Sequence, residues 1–159
     1  MKAFYGRPSP RPVPGGTQLT VYLVPVFEGR LVCFDVVAEE ARGRWLPWDV
    51  LDHQENPYEA ASELADFWCG VPPLNLELVD IMSLSTPGGT WELAVIFRGE
   101  FADRPTGDAD RVPHLFDYGR FDAVAAFDPV DLERWVLKAS SPVPLPFGQP
   151  DPAGEKLVF

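Results

Sequence analysis

Carboxylates are the side chains of this chain that are best suited to chemistry. Between Arg44 and Arg98 the sequence contains no Lys or Arg. Nine acidic residues lie in that interval, namely Asp49, Asp52, Glu55, Glu59, Glu63, Asp66, Glu77, Asp80 and Glu92. Glu59, Glu63 and Asp66 stand at helical spacing on one face, and carboxylate oxygens are the ligands that hard divalent cations prefer. The pattern favours either a cation site or, as the ordinary alternative, a solvated acidic stripe.

The cysteines and histidines give weaker evidence of a chemical site than the carboxylates do. Cys33 and Cys69 lack the spacing of a metal or redox motif, and two cysteines cannot form a disulfide framework. We expect both to be buried as small hydrophobic residues. The only histidines, His53 and His114, are expected in surface loops rather than as ligands or bases.

Length and charge limit the class of protein. The 159 residues, 46% of them hydrophobic, suffice for one domain with a real core. A net charge of −11 with no basic cluster argues against non-specific nucleic-acid binding. The chain has no apolar run of about 18 residues and no apolar segment near its start, so we expect neither a membrane span nor a secretory signal. These features predict a soluble, cytoplasmic protein.

Proline-rich segments flank the predicted domain. Residues 1–16 and 140–159 are interpreted as an N-terminal arm and a C-terminal tail around a folded body at 17–139. Within the body, apolar and β-branched runs predict strands at 17–27, 31–37, 76–86, 90–101 and 121–127. Asn56-Pro57 begins a predicted helix that ends near Cys69, before Gly70, and Asp128-Pro129 begins another through about Leu137. Residues 102–119 are interpreted as a polar loop, and the order of elements predicts an α+β fold.

The body resembles the Nudix family. Trp45 with Leu46-Pro47, Glu55, the run 56–61 (NPYEAA) and Gly70-Val71 match the register of the Nudix box, G-x5-E-x7-R-E-U-x-E-E-x-G-U, without a gap. The segments 83–101 and 121–135 are similar to the strand–loop–strand and the final strand and helix of the family. The resemblance implies an α/β/α sandwich with a mixed central sheet.

The box is degenerate at its catalytic positions. Trp48-Asp49 replace Gly-Gly, Glu63-Leu64 replace Arg-Glu, and Phe67-Trp68 replace the Glu-Glu pair with which, by the resemblance, the helix would hold Mg²⁺. A shift of one residue would bring Glu63 and Asp66 onto two of the three carboxylate positions, but it spoils the remaining match. An acid of the later loop, Asp103, Asp108 or Asp110, remains available in that case.

Apolar side chains therefore stand where the family has ligands. Leu64, Phe67 and Trp68 are expected on the helix face that looks into the family's cleft, near Trp48. They either fill that cleft as additional core or line an apolar binding surface. Ala60, Ala61, Ala65 and Cys69 are expected to pack on the sheet.

Two functions follow. The first is a pseudoenzyme: a non-catalytic binding or regulatory module without metal or other cofactor, which binds a protein or small molecule through Trp48, Leu64, Phe67 and Trp68. The second is a divergent hydrolase of nucleoside-diphosphate-linked compounds that uses Mg²⁺ with Glu55, Glu59, Glu63 and Asp66. Neither involves nucleic acid or a membrane, and a homodimer is compatible with both.

Overall fold

A mixed seven-stranded sheet forms the centre of the protein. The computed structural model describes residues 17–37, 42–85, 91–117, 124 and 127–137. The strands are β1 (Thr17–Phe27), β2 (Arg30–Val36), β3 (Gly43–Trp45), β4 (Trp48–Val50), β5 (Asn75–Ser85), β6 (Trp91–Phe101) and β7 (Arg111–Phe116). The strand order is β3-β2-β1-β6-β5, with β4 also paired to β1 and β7 to β2. Only β1 and β6 run parallel; the other described pairs are antiparallel.

Two helices cover opposite faces of the sheet. The ring of Tyr58, on α1 (Pro57–Leu64), lies 6.0 Å from that of Phe97 in β6. The next residue, Arg98, donates to the carbonyl of Val136 on α2 (Pro129–Leu137) at 3.0 Å. Because neighbouring residues of a strand point to opposite faces, α1 and α2 lie on opposite sides. The predicted α/β/α sandwich with a mixed sheet is confirmed.

Buried polar groups hold the α2 side together. The Asp80 carboxylate accepts hydrogen bonds from Arg134 at 2.8 Å and from the indole of Trp135 at 3.0 Å, which joins α2 to β5. The fully buried Glu92 accepts from the hydroxyls of Thr20 at 2.8 Å and Tyr22 at 2.9 Å. Buried carboxylates are tolerated when donors of this kind satisfy them, so both acids have structural roles.

Three local expectations need correction. Residues 102–119 are not one polar loop, because Arg111–Phe116 forms β7 against β2. The first helix is not α-helical throughout: after Leu64 it continues as a π-helical turn, Ala65–Cys69. The strands β3 and β4, each of three residues, were not predicted.

The other predicted elements match the structure closely where it describes them. The strands and α2 agree to within one residue at each described end. Of the strand predicted at 121–127, only Val124 and Phe127 are described, and they form an isolated bridge. The proline-rich arm and tail lie outside the described residues. Within the described part of the chain, no helix is long and apolar enough to cross a membrane.

Candidate functional site

The helix that carries the candidate site is fixed at both ends. The side chain of Asn56 accepts from the backbone N–H of Tyr58 at 2.8 Å, and Pro57 occupies the first turn. This is the cap that the sequence predicts. At the other end Gly70 has φ +70°, and the N–H of Thr106 donates to the carbonyl of Cys69 at 2.9 Å. The loop after β6 therefore closes onto the end of the helix.

The four candidate acids do not form a site for Mg²⁺. Glu59, Glu63 and Asp66 are exposed, while Glu55 is partly buried. Desolvation, followed by the negative charges of Asp52 and Glu63, raises the pKa of Glu55, so carboxylates do gather here. Yet among the described residues no three His, Cys, Asp or Glu side chains lie close enough together to hold a metal ion. The residues present do not fit the three-carboxylate arrangement that the resemblance implies.

Three of the four residues proposed to bind a ligand belong to the core. Leu64 is fully buried, and Trp48 and Trp68 are each 2% exposed. The ring of Trp68 meets Phe34 edge to face at 5.6 Å, and that of Trp48 lies 5.8 Å from Trp45. Burial of these three side chains is what the alternative of additional core predicts. Phe67, at 39% exposed, is the member of the set that a ligand could reach without a change in packing.

A buried arginine, Arg111, lies against Phe67 and Trp68, and the sequence did not predict this contact. The Arg111 guanidinium lies over the ring of Phe67 at 4.1 Å and over that of Trp68 at 5.2 Å. Arg111 is 3% exposed and forms an ion pair with Asp108 at 3.2 Å. A guanidinium over aromatic faces is favoured electrostatically, and more strongly when water is excluded. Phe67 and Trp68, the helix positions at which the resemblance implies glutamates, therefore face the positive charge of Arg111.

Backbone geometry fixes this arginine. The Asp108 carboxylate accepts from the N–H groups of Asp110 at 2.9 Å and Arg111 at 2.8 Å, and the Asp108 N–H donates to the Arg111 carbonyl at 3.0 Å. Gly107 has φ +61°, and a Cβ there would clash with the Arg111 carbonyl oxygen. The loop is thus a tight turn built around Asp108, which is occupied by these contacts.

The cysteines and histidines lie as expected from the sequence, with one difference. Cys33 and Cys69 are buried free thiols, and burial raises the pKa of both well above the ordinary range. They are therefore protonated and unreactive at neutral pH. His53 is exposed in a loop; His114 is also exposed but belongs to β7, where its ring lies 4.9 Å from that of Phe116.

Comparison with known proteins supports the fold. No protein-family model and no curated protein matches the chain. A MutT Nudix hydrolase from Burkholderia pseudomallei superposes with a TM-score of 0.62 at 17% identity, over 74% of this chain and 96% of that one. A MutT protein from Methanosarcina mazei gives 0.55 at 12% identity, over 65% and 78% of the two chains. A Nudix hydrolase from Nitrosomonas europaea gives 0.52 at 20%, over 64% and 72%. The protein has the fold of the Nudix hydrolases.

Proposed function

We propose that this protein is a non-catalytic binding module on a Nudix fold. The observation that carries the proposal is the Arg111 guanidinium stacked on Phe67 at 4.1 Å and on Trp68 at 5.2 Å. In the ungapped register these aromatic residues replace the glutamate pair that would hold Mg²⁺. They offer no oxygen ligand with which Mg²⁺ could replace its hydration shell.

The charge of the surrounding surface favours a particular class of ligand. Glu59, Glu63 and Asp66 are exposed on the helix, and no Lys or Arg occurs in residues 45–97. Such a surface repels a diphosphate unless a metal intervenes. A protein, or an uncharged or cationic small molecule, is the ligand that this module binds in our proposal.

Hydrolysis and binding can be tested on the same preparation. We expect no turnover of a panel of nucleoside-diphosphate-linked compounds, ADP-ribose included, with either Mg²⁺ or Mn²⁺. Spermine, as a cationic probe, should bind in calorimetry and bind more weakly to Glu59→Gln/Glu63→Gln. The matched control is Glu28→Gln/Asp103→Asn, which removes two exposed charges outside the helix and should change spermine binding less. Equal weakening in both variants would mean that spermine senses net charge and not this surface.

The second candidate, a divergent Nudix hydrolase, is favoured by one observation. The pKa of Glu55 is raised by burial and by the nearby charges of Asp52 and Glu63, and clustered carboxylates with a perturbed pKa occur at catalytic sites more often than elsewhere. In this alternative Glu55, Glu59, Glu63 and Asp66 would supply carboxylates to Mg²⁺ only after a rearrangement that brings at least three of them together, since they do not form such a group in the described structure. Saturable Mg²⁺ binding that is lost in Glu63→Gln, together with turnover, would establish the hydrolase and refute the binding module.

A further inference from the structure

An apolar area remains uncovered on the α1 side of the sheet. It consists of five large side chains that are each 44–55% exposed: Leu19, Tyr58, Leu78, Ile81 and Trp91. We call this area the open face. Single exposed apolar residues are ordinary, but a contiguous group indicates a surface that something covers.

The strand register brings these residues together. Trp91 is paired with Thr17 in β1, and two residues further along the same strands Leu19 is paired with Leu93. On the other side of β6, Ile81 is paired with Val95 and Leu78 with Phe97. Tyr58 packs on Phe97 from α1, which shows that the open face lies on the α1 side. The open face therefore runs along β6 from its first residue to the beginning of the helix.

An acidic loop borders the open face. The N–H of Leu51 donates to the carbonyl of Leu19 at 2.9 Å, so the loop that follows β4 begins beside the open face. This loop and the first turn of α1 carry Asp52, Glu55 and Glu59. Residues 45–97 contain no Lys or Arg, so the sequence gives this border a formal negative charge. A suitable occupant combines apolar side chains with positive charge.

We propose that residues 1–16 of this chain cover the open face. Their sequence, MKAFYGRPSPRPVPGG, contains Lys2, Arg7 and Arg11 and no acidic residue, together with apolar side chains such as Phe4 and Tyr5. The rest of the chain is strongly acidic, so the charges are complementary. These residues lie outside the described part of the structure, and the proposal rests on their sequence and on the point where β1 begins.

The position and length of the segment fit the open face. Residue 16 is joined to Thr17, whose partner Trp91 is part of the open face. Sixteen extended residues span at most about 55 Å. From Trp91 to Phe97 the open face is about 20 Å long, and it crosses strands that are about 5 Å apart. Residues 1–16 are therefore long enough to reach every part of the open face.

A second copy of the chain is the less suitable occupant. A two-fold dimer places the same surface of both copies in contact. On the open face that would place two copies of the acidic border, Asp52, Glu55 and Glu59, in one interface, and like charges in an interface are unfavourable. The basic segment 1–16 faces no such repulsion.

Paramagnetic relaxation in the full-length chain tests the proposal. Ser9→Cys provides one reactive site for a nitroxide label, because Cys33 and Cys69 are buried and protonated. We expect the label to broaden the amide signal of Ile81 and the indole signal of Trp91. The amides of Val112 and His114, in β7 beyond β2, serve as controls that stay sharp.

Charge reversal shows whether the contact is the one proposed. Because the proposed contact includes several exposed ion pairs, Lys2→Glu/Arg7→Glu/Arg11→Glu should lower the equilibrium constant for docking by about tenfold and restore the Ile81 and Trp91 signals. Unbroadened signals in the first variant, or equal broadening after charge reversal, would overturn the proposal. So would broadening of the same signals in ¹⁵N chains without label that are mixed with labelled ¹⁴N chains, since this would assign the open face to a second copy.

Discussion

A comparison of Trp68→Ala with Phe67→Ala tests whether Trp68 is a core residue and its neighbour Phe67 is not. Trp68 is 2% exposed and packs edge to face on Phe34, whereas Phe67 is 39% exposed. Truncation of a buried Trp to Ala costs about 3–5 kcal/mol through lost transfer energy and the cavity that remains. We therefore expect Trp68→Ala to lower the free energy of unfolding by about 4 kcal/mol, a large part of the 5–15 kcal/mol of an ordinary domain.

Phe67→Ala is the matched control because it removes the aromatic face nearer to Arg111. It leaves little cavity, and the lost cation–π contact is worth about 1 kcal/mol at a partly exposed site. Urea denaturation followed by tryptophan fluorescence or circular dichroism measures both variants. With a slope near 2 kcal/mol per molar urea, the midpoint should fall by about 2 M for Trp68→Ala and about 0.5 M for Phe67→Ala. Equal losses would refute the assignment of Trp68 to the core, and an intact fold in Trp68→Ala would make it a surface residue.

Three further predictions concern other parts of the fold. Gly107→Ala should lower the free energy of unfolding by about 3 kcal/mol, because the added Cβ meets a carbonyl oxygen of β7. In Gly29→Ala the added Cβ meets no neighbouring atom, so the loss should be about 1 kcal/mol. Urea midpoints measure both losses. Asp80→Asn should cost about 3 kcal/mol, and hydrogen exchange should show α2 opening first, since the carboxylate pairs with donors on that helix. Burial raises the pKa of Cys33 and Cys69, so only the unfolded chain loses these thiol protons near the ordinary pKa of 9.0. The free energy of unfolding should therefore be constant well below pH 9 and fall by about 1.4 kcal/mol per thiol by pH 10. The fall should be smaller in Cys33→Ala/Cys69→Ala.

The elements with strong local signals could be predicted from the sequence. The cap at Asn56-Pro57, the stop at Gly70 and the long strands β1, β5 and β6 depend on neighbouring residues, and they were placed to within one residue where the structure describes them. Strand β7 was missed because its apolar pattern is interrupted by Pro113 and His114 and its partner, β2, lies far away in sequence. A strand that depends on such pairing leaves little local signal.

The candidate site was predictable only on the helix. The sequence predicts Leu64, Phe67 and Trp68 on one face of the helix, and it leaves open whether they fill the cleft or line a surface. The burial of each depends on side chains from elsewhere, such as Phe34 and Arg111. Nothing in the spacing of the helix residues indicates that an arginine more than forty positions later will lie against them.

The rings of Phe67 and Trp68 and the guanidinium of Arg111 depend on one another electrostatically. A helix with two glutamates attracts a cation from solution, and Mg²⁺ remains strongly hydrated unless oxygen ligands replace its water. A guanidinium is weakly hydrated and planar, so it can be buried against aromatic rings at lower cost than an ammonium group or a metal ion. Arg111 over Phe67 and Trp68 uses that property, with Asp108 as its counter-charge. Each half alone would be unfavourable. The rings without the arginine lose the cation they face, and the arginine without the rings is a buried charge that has lost its aromatic contacts. Arg111 thus places against these two rings a cation that is covalently part of the chain and does not exchange with solution.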